Sequence, residues 1–144
     1  MLLENKIAIV TGGSRGIGFA TVKAFLKEGA TVVLCASRQA TADKAIAELK
    51  AEMPDAKVSA ILPDLSDSES IKAAFDAVAA EYGRIDILVN NAGVSEDTPF
   101  VNYTDETFDK VIDLNVKGMY KCTRAVVDHM ISAGSGVILN TSSM

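Results

Sequence analysis

Short apolar runs alternate with longer amphipathic stretches along the whole chain. The runs are rich in β-branched residues and stay apolar at successive positions, which is typical of strands in a parallel sheet covered by helices. They predict five strands, at residues 6–10, 31–36, 57–62, 85–89 and 136–141. Apolar residues at helical spacing between these runs predict four helices, at residues 16–28, 41–53, 68–82 and 105–132.

The residues that flank these segments favour the same helix boundaries. Asp67 and Thr104 carry side-chain oxygens that can cap the first turn of the third and fourth helices. Gly29 and Gly83 follow the first and third helices, where glycine favours a left-handed C-terminal end. Pro54 ends the second helix, because the residue before a proline is disfavoured in helical conformation.

The alternation of strands and helices predicts an α/β fold. Repeated β-α units with right-handed crossovers build a doubly wound parallel sheet of the Rossmann type, with strand order 3-2-1-4-5 and helices on both faces. No linker, repeat or low-complexity tract divides the chain, so residues 1–144 are interpreted as one domain. A ligand crevice is expected beside the first strand, where the strand order reverses.

Composition and charge narrow the classes of function. Apolar residues make up 49% of the chain, which is enough to bury a core and argues against disorder. The formal net charge is −5 and the basic residues are scattered, so nucleic-acid binding is disfavoured. No apolar run approaches the ~20 residues that a membrane helix needs, so no membrane partner is predicted.

The cysteines and the single histidine do not predict a metal site. Cys35 and Cys122 belong to no C-x-x-C pair, and His129 stands alone, so a structural zinc site lacks ligands. Two lone cysteines fit small core positions and a reducing compartment, which predicts a cytoplasmic location. His129 is interpreted as a surface or interface residue of the fourth helix.

A glycine-rich loop lies between the first strand and the first helix. Its glycines are spaced G-x-x-x-G-x-G, and such a loop can turn tightly, admit a pyrophosphate to backbone N–H groups and let the helix pack on the sheet. The helix N-terminus adds partial positive charge. An ordinary glycine turn is the alternative, and a P-loop is disfavoured because no Gly-Lys-Ser/Thr follows. The predicted pyrophosphate site consists of Gly12, Ser14, Arg15, Gly16, Ile17 and Gly18.

The end of the second strand predicts which dinucleotide binds. An acidic residue at this place binds the ribose 2′-hydroxyl of NAD, whereas an arginine accommodates the 2′-phosphate of NADP. The segment here contains Ser37 and Arg38 and no acid, and Arg15 can approach the same place. Two guanidinium groups favour a phosphate dianion, so NADP(H) is the predicted cofactor. The alternative is that both arginines are solvated surface residues.

Five motifs in order along the chain resemble those of the short-chain dehydrogenase/reductase family, over essentially the whole length. Three of them follow strands 1, 3 and 4 and would bind cofactor, and two carry catalytic residues. The motifs are the glycine loop Thr11-Gly12-x-x-x-Gly16-x-Gly18, the pair Asp64-Leu65, the sequence Asn90-Asn91-Ala92-Gly93, Asn115 within Asp113-Leu114-Asn115-Val116, and Ile138-Leu139-Asn140-Thr141-Ser142-Ser143.

The resemblance implies reversible hydride transfer between a nicotinamide and a carbonyl or secondary alcohol. It implies further cofactor contacts at Asp64 and Leu65, which would meet adenine, and at Asn91, Ala92 and Gly93. Asn115 would support a water that links to a lysine. Ser143 would hydrogen-bond the reacting oxygen, with Ser142 as the alternative. Candidate substrates range from 3-oxoacyl thioesters to hydroxysteroids, sugars and ketones, and the family is commonly homo-oligomeric.

The chain departs from the family in one respect. The family's Tyr-x-x-x-Lys is absent, since none of Tyr82, Tyr103 and Tyr120 has a lysine four residues later. We therefore expect these residues to be the N-terminal cofactor-binding part of a longer enzyme, and to be inactive alone. The alternative is a natural nucleotide-binding module without catalysis. An extended-family epimerase is disfavoured, because its loop reads G-x-x-G-x-x-G.

Overall fold

Five parallel strands form one sheet in the order β3-β2-β1-β4-β5, as the sequence predicts. The computed structural model describes residues 1–143. The strands are β1 (Ile7–Val10), β2 (Thr31–Cys35), β3 (Val58–Ile61), β4 (Ile87–Asn90) and β5 (Val137–Asn140). The helices are α1 (Gly16–Lys27), α2 (Gln39–Glu52), α3 (Ser68–Tyr82), α4 (Asp105–Ile112) and α5 (Met119–Ala133).

The two faces of the sheet are covered by different helices, which makes the fold doubly wound. On β1, Ala8 and Val10 join a core cluster with residues of α1 and α2, including Val22 and Leu49. The alternate residues of β1 join a second cluster with α3 and α5, including Phe75. This alternation is what the two-residue period of a strand dictates. The predicted α/β class, strand order and two-sided cover are confirmed.

The capping signals in the sequence act as predicted. Asp67 accepts a hydrogen bond from the Glu69 N–H at 3.0 Å. Thr104 accepts one from the Thr107 N–H at 3.1 Å. Gly83 ends α3 in left-handed conformation, with φ of 84°. The second helix begins two residues earlier than predicted. Its N-cap residue is Arg38, whose side chain does not cap the first turn, so the sequence contains no capping signal at this position.

The structure is helical over the predicted residues 105–132, but this stretch is not a regular α-helix throughout. Between α4 and α5, Asp113–Gly118 form a π-helical segment, which was not predicted. Such segments are rare and occur mostly as single turns within α-helices, frequently at functional sites. Here the segment contains Asn115, so the irregularity coincides with a predicted catalytic residue.

The cover of the strands differs between the centre and the edge of the sheet. Every residue of β1 and β4 is buried. In the edge strand β5, by contrast, Val137 and Leu139 are 52% and 48% exposed. The apolar sequence pattern is typical of covered strands, and among residues 1–143 the edge strand β5 departs from it at these two side chains.

The remaining sequence expectations concern single side chains. Cys35 and Cys122 are both buried and unpaired, as expected of small core residues. His129 lies half-buried where α5 packs on α3, with its Nε2 2.7 Å from Asp76 Oδ1. Among residues 1–143, no helix combines the length and the apolar character that crossing a membrane requires.

Candidate cofactor and active site

The glycine loop follows β1 and leads directly into α1. Gly12 and Gly16 have φ of 62° and 59°, in the left-handed region that favours glycine. A Cβ on Gly16 would meet nothing within 4 Å, so the backbone at this position is open to the crevice. The first turn of α1 has neither a side-chain cap nor an acidic residue. Its N–H groups are therefore available to an anion.

Gly18 has a different role from Gly16. A Cβ on Gly18 would lie 2.0 Å from the Gly12 carbonyl oxygen and 2.5 Å from Asn91 Nδ2. No real Cβ approaches other atoms so closely, so only glycine lets α1 start against the loop. Gly18 is buried below the loop and does not line the crevice. Gly18 thus contributes to the predicted pyrophosphate site by allowing the glycine loop and α1 to pack closely.

Thr11 joins the glycine loop to the segment after β4, a role that sequence reasoning missed. Its hydroxyl oxygen accepts hydrogen bonds from the N–H groups of Asn91 and Ala92, both at 3.0 Å. Its own hydroxyl donates to the Val89 carbonyl at 3.4 Å. Thr11 is buried, with 2% exposed. The signal that could have found it is a lone polar residue that ends an apolar strand.

The two arginines assigned to the 2′-phosphate line the same open crevice. Arg15 and Arg38 are both exposed, and Ser37 and Thr41 line the crevice beside them. Neither guanidinium forms an ion pair with another residue in the described part of the chain. Two positive charges without an ion-pair partner among the described residues therefore border the crevice.

Asp64 and Leu65 lie in the loop after β3. The Asp64 carboxylate accepts hydrogen bonds from the Ser66 hydroxyl at 2.6 Å and the Ser66 N–H at 2.9 Å. These bonds, with a smaller attraction from Lys121, hold the pKa of Asp64 below its usual range. The Asp64 N–H donates to Ser70 Oγ at 2.9 Å. The loop is thus ordered by its own hydrogen bonds and borders the crevice.

Asn90 ties the ends of β4 and β5 together. Its Nδ2 donates to Asn140 Oδ1 and to Thr123 Oγ1, each at 3.0 Å. Asn90 and Asn140 are also partners in the strand register. The Asn90 Oδ1 atom is buried and has no hydrogen-bond partner among the described residues. Asn90 is the last residue of β4 and is buried within the sheet.

Asn91 connects the glycine loop with the segment after β5. Its Nδ2 donates to the Gly12 carbonyl at 3.4 Å. Its Oδ1 accepts from the Thr141 hydroxyl at 3.3 Å. The loops that the resemblance assigns to cofactor and to catalysis are therefore held in one network.

Asn115 projects from the π-helical segment toward the segment after β4. Its Oδ1 accepts from the Val94 N–H and its Nδ2 donates to the Val94 carbonyl, both at 2.8 Å. A Cβ on Gly93 would lie 3.1 Å from Asn115 Oδ1, so the backbone passes close to this amide. The side chain is half-buried.

Ser142 and Ser143 follow β5 and are both exposed. Both line the crevice that Asn115 also borders. The geometry therefore brings both serines to the site and leaves the choice between them, as in the sequence, open.

One crevice at the C-terminal ends of the strands collects nearly all of the predicted site residues. Acidic and basic residues of α4, among them Glu106 and Lys110, form its further wall. The predicted residues that line it are Gly12, Ser14, Arg15, Gly16, Ile17, Ser37, Arg38, Asp64, Leu65, Asn91, Ala92, Gly93, Asn115, Ser142 and Ser143. This is the crevice expected where the strand order reverses.

The chain is similar to curated proteins with names of two kinds. It is 53% identical over 144 residues to a 3alpha-hydroxysteroid dehydrogenase of Mediterraneibacter gnavus, covering 100% of this chain and 58% of that protein. It is 42% identical over 143 residues to the 3-oxoacyl-acyl-carrier-protein reductase FabG of Chlamydia muridarum, covering 99% of this chain and 57% of that protein. The chain thus spans under three fifths of the length of these relatives.

A solved structure and a family model agree with these relatives. The crystal structure of a metagenomic short-chain oxidoreductase in complex with NADP matches with a TM-score of 0.91 and 36% identity, covering 100% of this chain and 65% of that one. The model of the family described as short chain dehydrogenase matches residues 6–144. The chain belongs to the short-chain dehydrogenase family.

Proposed function

We propose that residues 1–144 are the cofactor-binding part of an NADP(H)-dependent oxidoreductase that interconverts a carbonyl and a secondary alcohol. The observation that carries the proposal is the single crevice in which the open glycine loop, the two unpaired arginines and the Asn115 and serine cluster lie together. The names of the relatives, a hydroxysteroid dehydrogenase and a 3-oxoacyl reductase, support this reaction class. They also leave both substrate classes as candidates.

The residues of the crevice fit a dinucleotide phosphate. Gly16 leaves space where any other residue would place a Cβ, so a pyrophosphate can approach the N-terminus of α1. Arg15 and Arg38 supply two cations that form no ion pair with another described residue, which suits a phosphate dianion. Asp64 and Leu65 would border adenine, and Asn91, Ala92 and Gly93 would face the nicotinamide half. One related structure is a complex with NADP, which supports this choice of cofactor.

In the proposed reaction the nicotinamide would supply or accept hydride, and the chain's residues would orient the reactants. Ser143, or Ser142 in its place, would donate a hydrogen bond to the reacting oxygen and stabilise charge that develops there. Asn115 would hold the Val94 segment beside the site through its paired hydrogen bonds. The tyrosine–lysine pair that moves the proton in the family scheme is absent from these residues, so we propose that they bind cofactor without turnover.

Binding measurements with the purified chain test the cofactor choice. We expect NADPH to bind roughly ten- to a hundredfold more tightly than NADH, since charge-assisted hydrogen bonds are worth about 1.5–3 kcal/mol each. Replacing Arg15 and Arg38 together by alanine should remove this preference, and Ser37→Asp should shift it toward NADH. Arg124→Ala, which changes an exposed arginine of α5, is the matched control. Equal affinity of the wild type for both cofactors would refute the proposal.

A second function, a nucleotide-binding module without a reaction of its own, remains the alternative. Asn115 and the serines that line the crevice favour the enzyme over this alternative. NADPH oxidation measured with ketone, steroid and 3-oxoacyl thioester substrates tests whether the chain turns over. Turnover by this chain would contradict the expectation that it is inactive. The cytoplasmic location and homo-oligomeric state stay predictions.

A further inference from the structure

Lys121 reaches from α5 to the loop that follows β3. Its Nζ donates a hydrogen bond to the Ser66 carbonyl at 2.6 Å. The side chain is half-buried and forms no ion pair with another residue between 1 and 143. The Lys121 ammonium is thus directed at a backbone oxygen.

The loop that Lys121 contacts is the one that contains Asp64 and Leu65. Ser66 donates from its hydroxyl and its N–H to the Asp64 carboxylate, at 2.6 and 2.9 Å. The Ser66 carbonyl accepts from Lys121, so Ser66 lies between the lysine and the carboxylate. A shift of Ser66 would therefore move the Asp64 carboxylate, which borders the crevice.

The backbone of the same helical region also lies against this loop. A Cβ on Gly118 would lie 3.5 Å from the Leu65 carbonyl oxygen, which is ordinary van der Waals distance. Gly118 is buried and precedes Lys121 by three residues. Two successive carbonyls of the loop, those of Leu65 and Ser66, thus face the start of α5. Contacts from Lys121 and Gly118 therefore hold this loop, in addition to the hydrogen bonds within it.

We infer that Lys121 is a positioning residue that holds the Asp64–Ser66 loop in place for the adenine end of the cofactor. This inference rests on the proposed cofactor function, which assigns adenine to Asp64 and Leu65. Lys121 touches neither ligand nor reacting atoms in this scheme and acts through Ser66. Pre-ordering a binding loop raises affinity, because the ordering cost is met before the ligand arrives.

The test compares two probes that differ in whether they carry adenine. Adenosine 2′,5′-bisphosphate is titrated by calorimetry, and inorganic pyrophosphate, which can contact the glycine loop alone, is titrated by amide chemical shifts. Lys121→Met removes the ammonium and keeps most of the stem. Lys121→Arg keeps a donor that can reach a carbonyl. Lys117→Met is the matched control, because Lys117 pairs with Asp113 on the surface and has no bond to the loop.

We expect Lys121→Met to weaken binding of adenosine 2′,5′-bisphosphate by roughly three- to tenfold, on the scale of a lost hydrogen bond and a freed loop. Pyrophosphate affinity should be unchanged. Lys121→Arg should bind adenosine 2′,5′-bisphosphate with an affinity within about twofold of that of the wild type, because it keeps a hydrogen-bond donor. Amide hydrogen exchange at residues 64–66 of the ligand-free chain should accelerate in Lys121→Met and not in Lys117→Met.

Other outcomes overturn the inference in distinguishable ways. Unchanged binding and unchanged exchange in Lys121→Met would remove Lys121 from any positioning role and leave the proposed cofactor function intact. An equal loss of both probes would indicate a general structural defect. Failure of the wild type to bind adenosine 2′,5′-bisphosphate would refute the proposed cofactor function, and the positioning role with it.

Discussion

Asn115 and Val94 are joined by two hydrogen bonds of 2.8 Å, in which the side-chain amide pairs with both polar groups of the Val94 backbone. The amide oxygen accepts from N–H and the amide nitrogen donates to C=O, so the orientation of the side chain is determined. The pair connects the π-helical segment with the segment after β4. A residue assigned to catalysis by resemblance is therefore also a structural anchor of the site.

Asn115→Asp should destabilise the fold through this pair. A carboxylate keeps the acceptor but replaces the donor with an oxygen that faces the Val94 carbonyl. Losing one half-buried hydrogen bond and leaving its partner unsatisfied costs about 1–3 kcal/mol. We expect the free energy of unfolding in urea to fall by that amount. Asn102→Asp makes the same change at an exposed position and should leave the unfolding midpoint nearly unchanged. Equal midpoints for both variants would contradict the argument.

Two glycines of one loop should respond differently to the same substitution. Gly18→Ala would place a Cβ 2.0 Å from the Gly12 carbonyl oxygen, so the loop or α1 must move and stability should fall sharply. Gly16→Ala has open space and bears only the strain of φ at 59°, which costs about 1 kcal/mol. Thermal unfolding of the two variants measures the difference in stability. Gly16→Ala should nevertheless lose affinity for NADPH, because its methyl group enters the space open to the pyrophosphate.

Strand order and most element bounds could be predicted because they depend on local periodicity and on chain chirality. Every strand of the sheet is recognisable as a run of apolar residues, and right-handed crossovers leave few orders to choose from. The caps at Asp67 and Thr104 were predictable for the same reason, since each partner lies two or three residues away.

The features that could not be predicted depend on contacts between distant parts of the chain. The Thr11 hydroxyl bonds to residues 80 and 81 positions away, and Lys121 contacts a carbonyl 55 positions away. The π-helical segment has no local signature, because its residues are acceptable in an ordinary helix. It becomes explicable only with Asn115 paired to Val94 across the site.

The two cysteines should be unreactive while the chain is folded. Burial raises the pKa of Cys122 to about 12 and raises that of Cys35 further, with a smaller contribution from the neighbouring Cys122. Their exposed fractions are 2% for Cys35 and 1% for Cys122. The thiolate is the reactive form, so a disulfide reagent at mildly alkaline pH should find no reactive thiol before unfolding.

Spectrophotometric titration with such a reagent checks this expectation. In concentrated guanidinium chloride, both cysteines should react. Ser135→Cys adds an exposed thiol and should react at once in the folded chain, which proves that the reagent is active. Rapid reaction of the folded wild type would mean that the core around β2 and α5 opens readily.

Acid should weaken the packing of α3 on α5 through Asp76. This carboxylate pairs with Lys72 on its own helix and lies 2.7 Å from His129 Nε2 on α5. The hydrogen bonds from Lys72 and then from His129 hold the pKa of Asp76 below its usual range. Because the folded-state pKa is lowered, ionised Asp76 stabilises the fold at pH above the ordinary aspartate pKa of about 3.9. That contribution is lost as the pH falls through the lowered value.

Asp76→Asn should therefore reduce stability near neutral pH and have progressively less effect as the solution is acidified. The measurement is the free energy of unfolding in urea at a series of pH values, for wild type and variant side by side. Asp128→Asn is the matched control, because among residues 1–143 Asp128 pairs only with Arg124 on the exposed side of α5, and its side chain is 73% exposed. Its difference from the wild type should stay small across the series. A constant difference between wild type and Asp76→Asn at every pH would mean that the asparagine disturbs packing, and that the charge of Asp76 does not stabilise the contact between the helices.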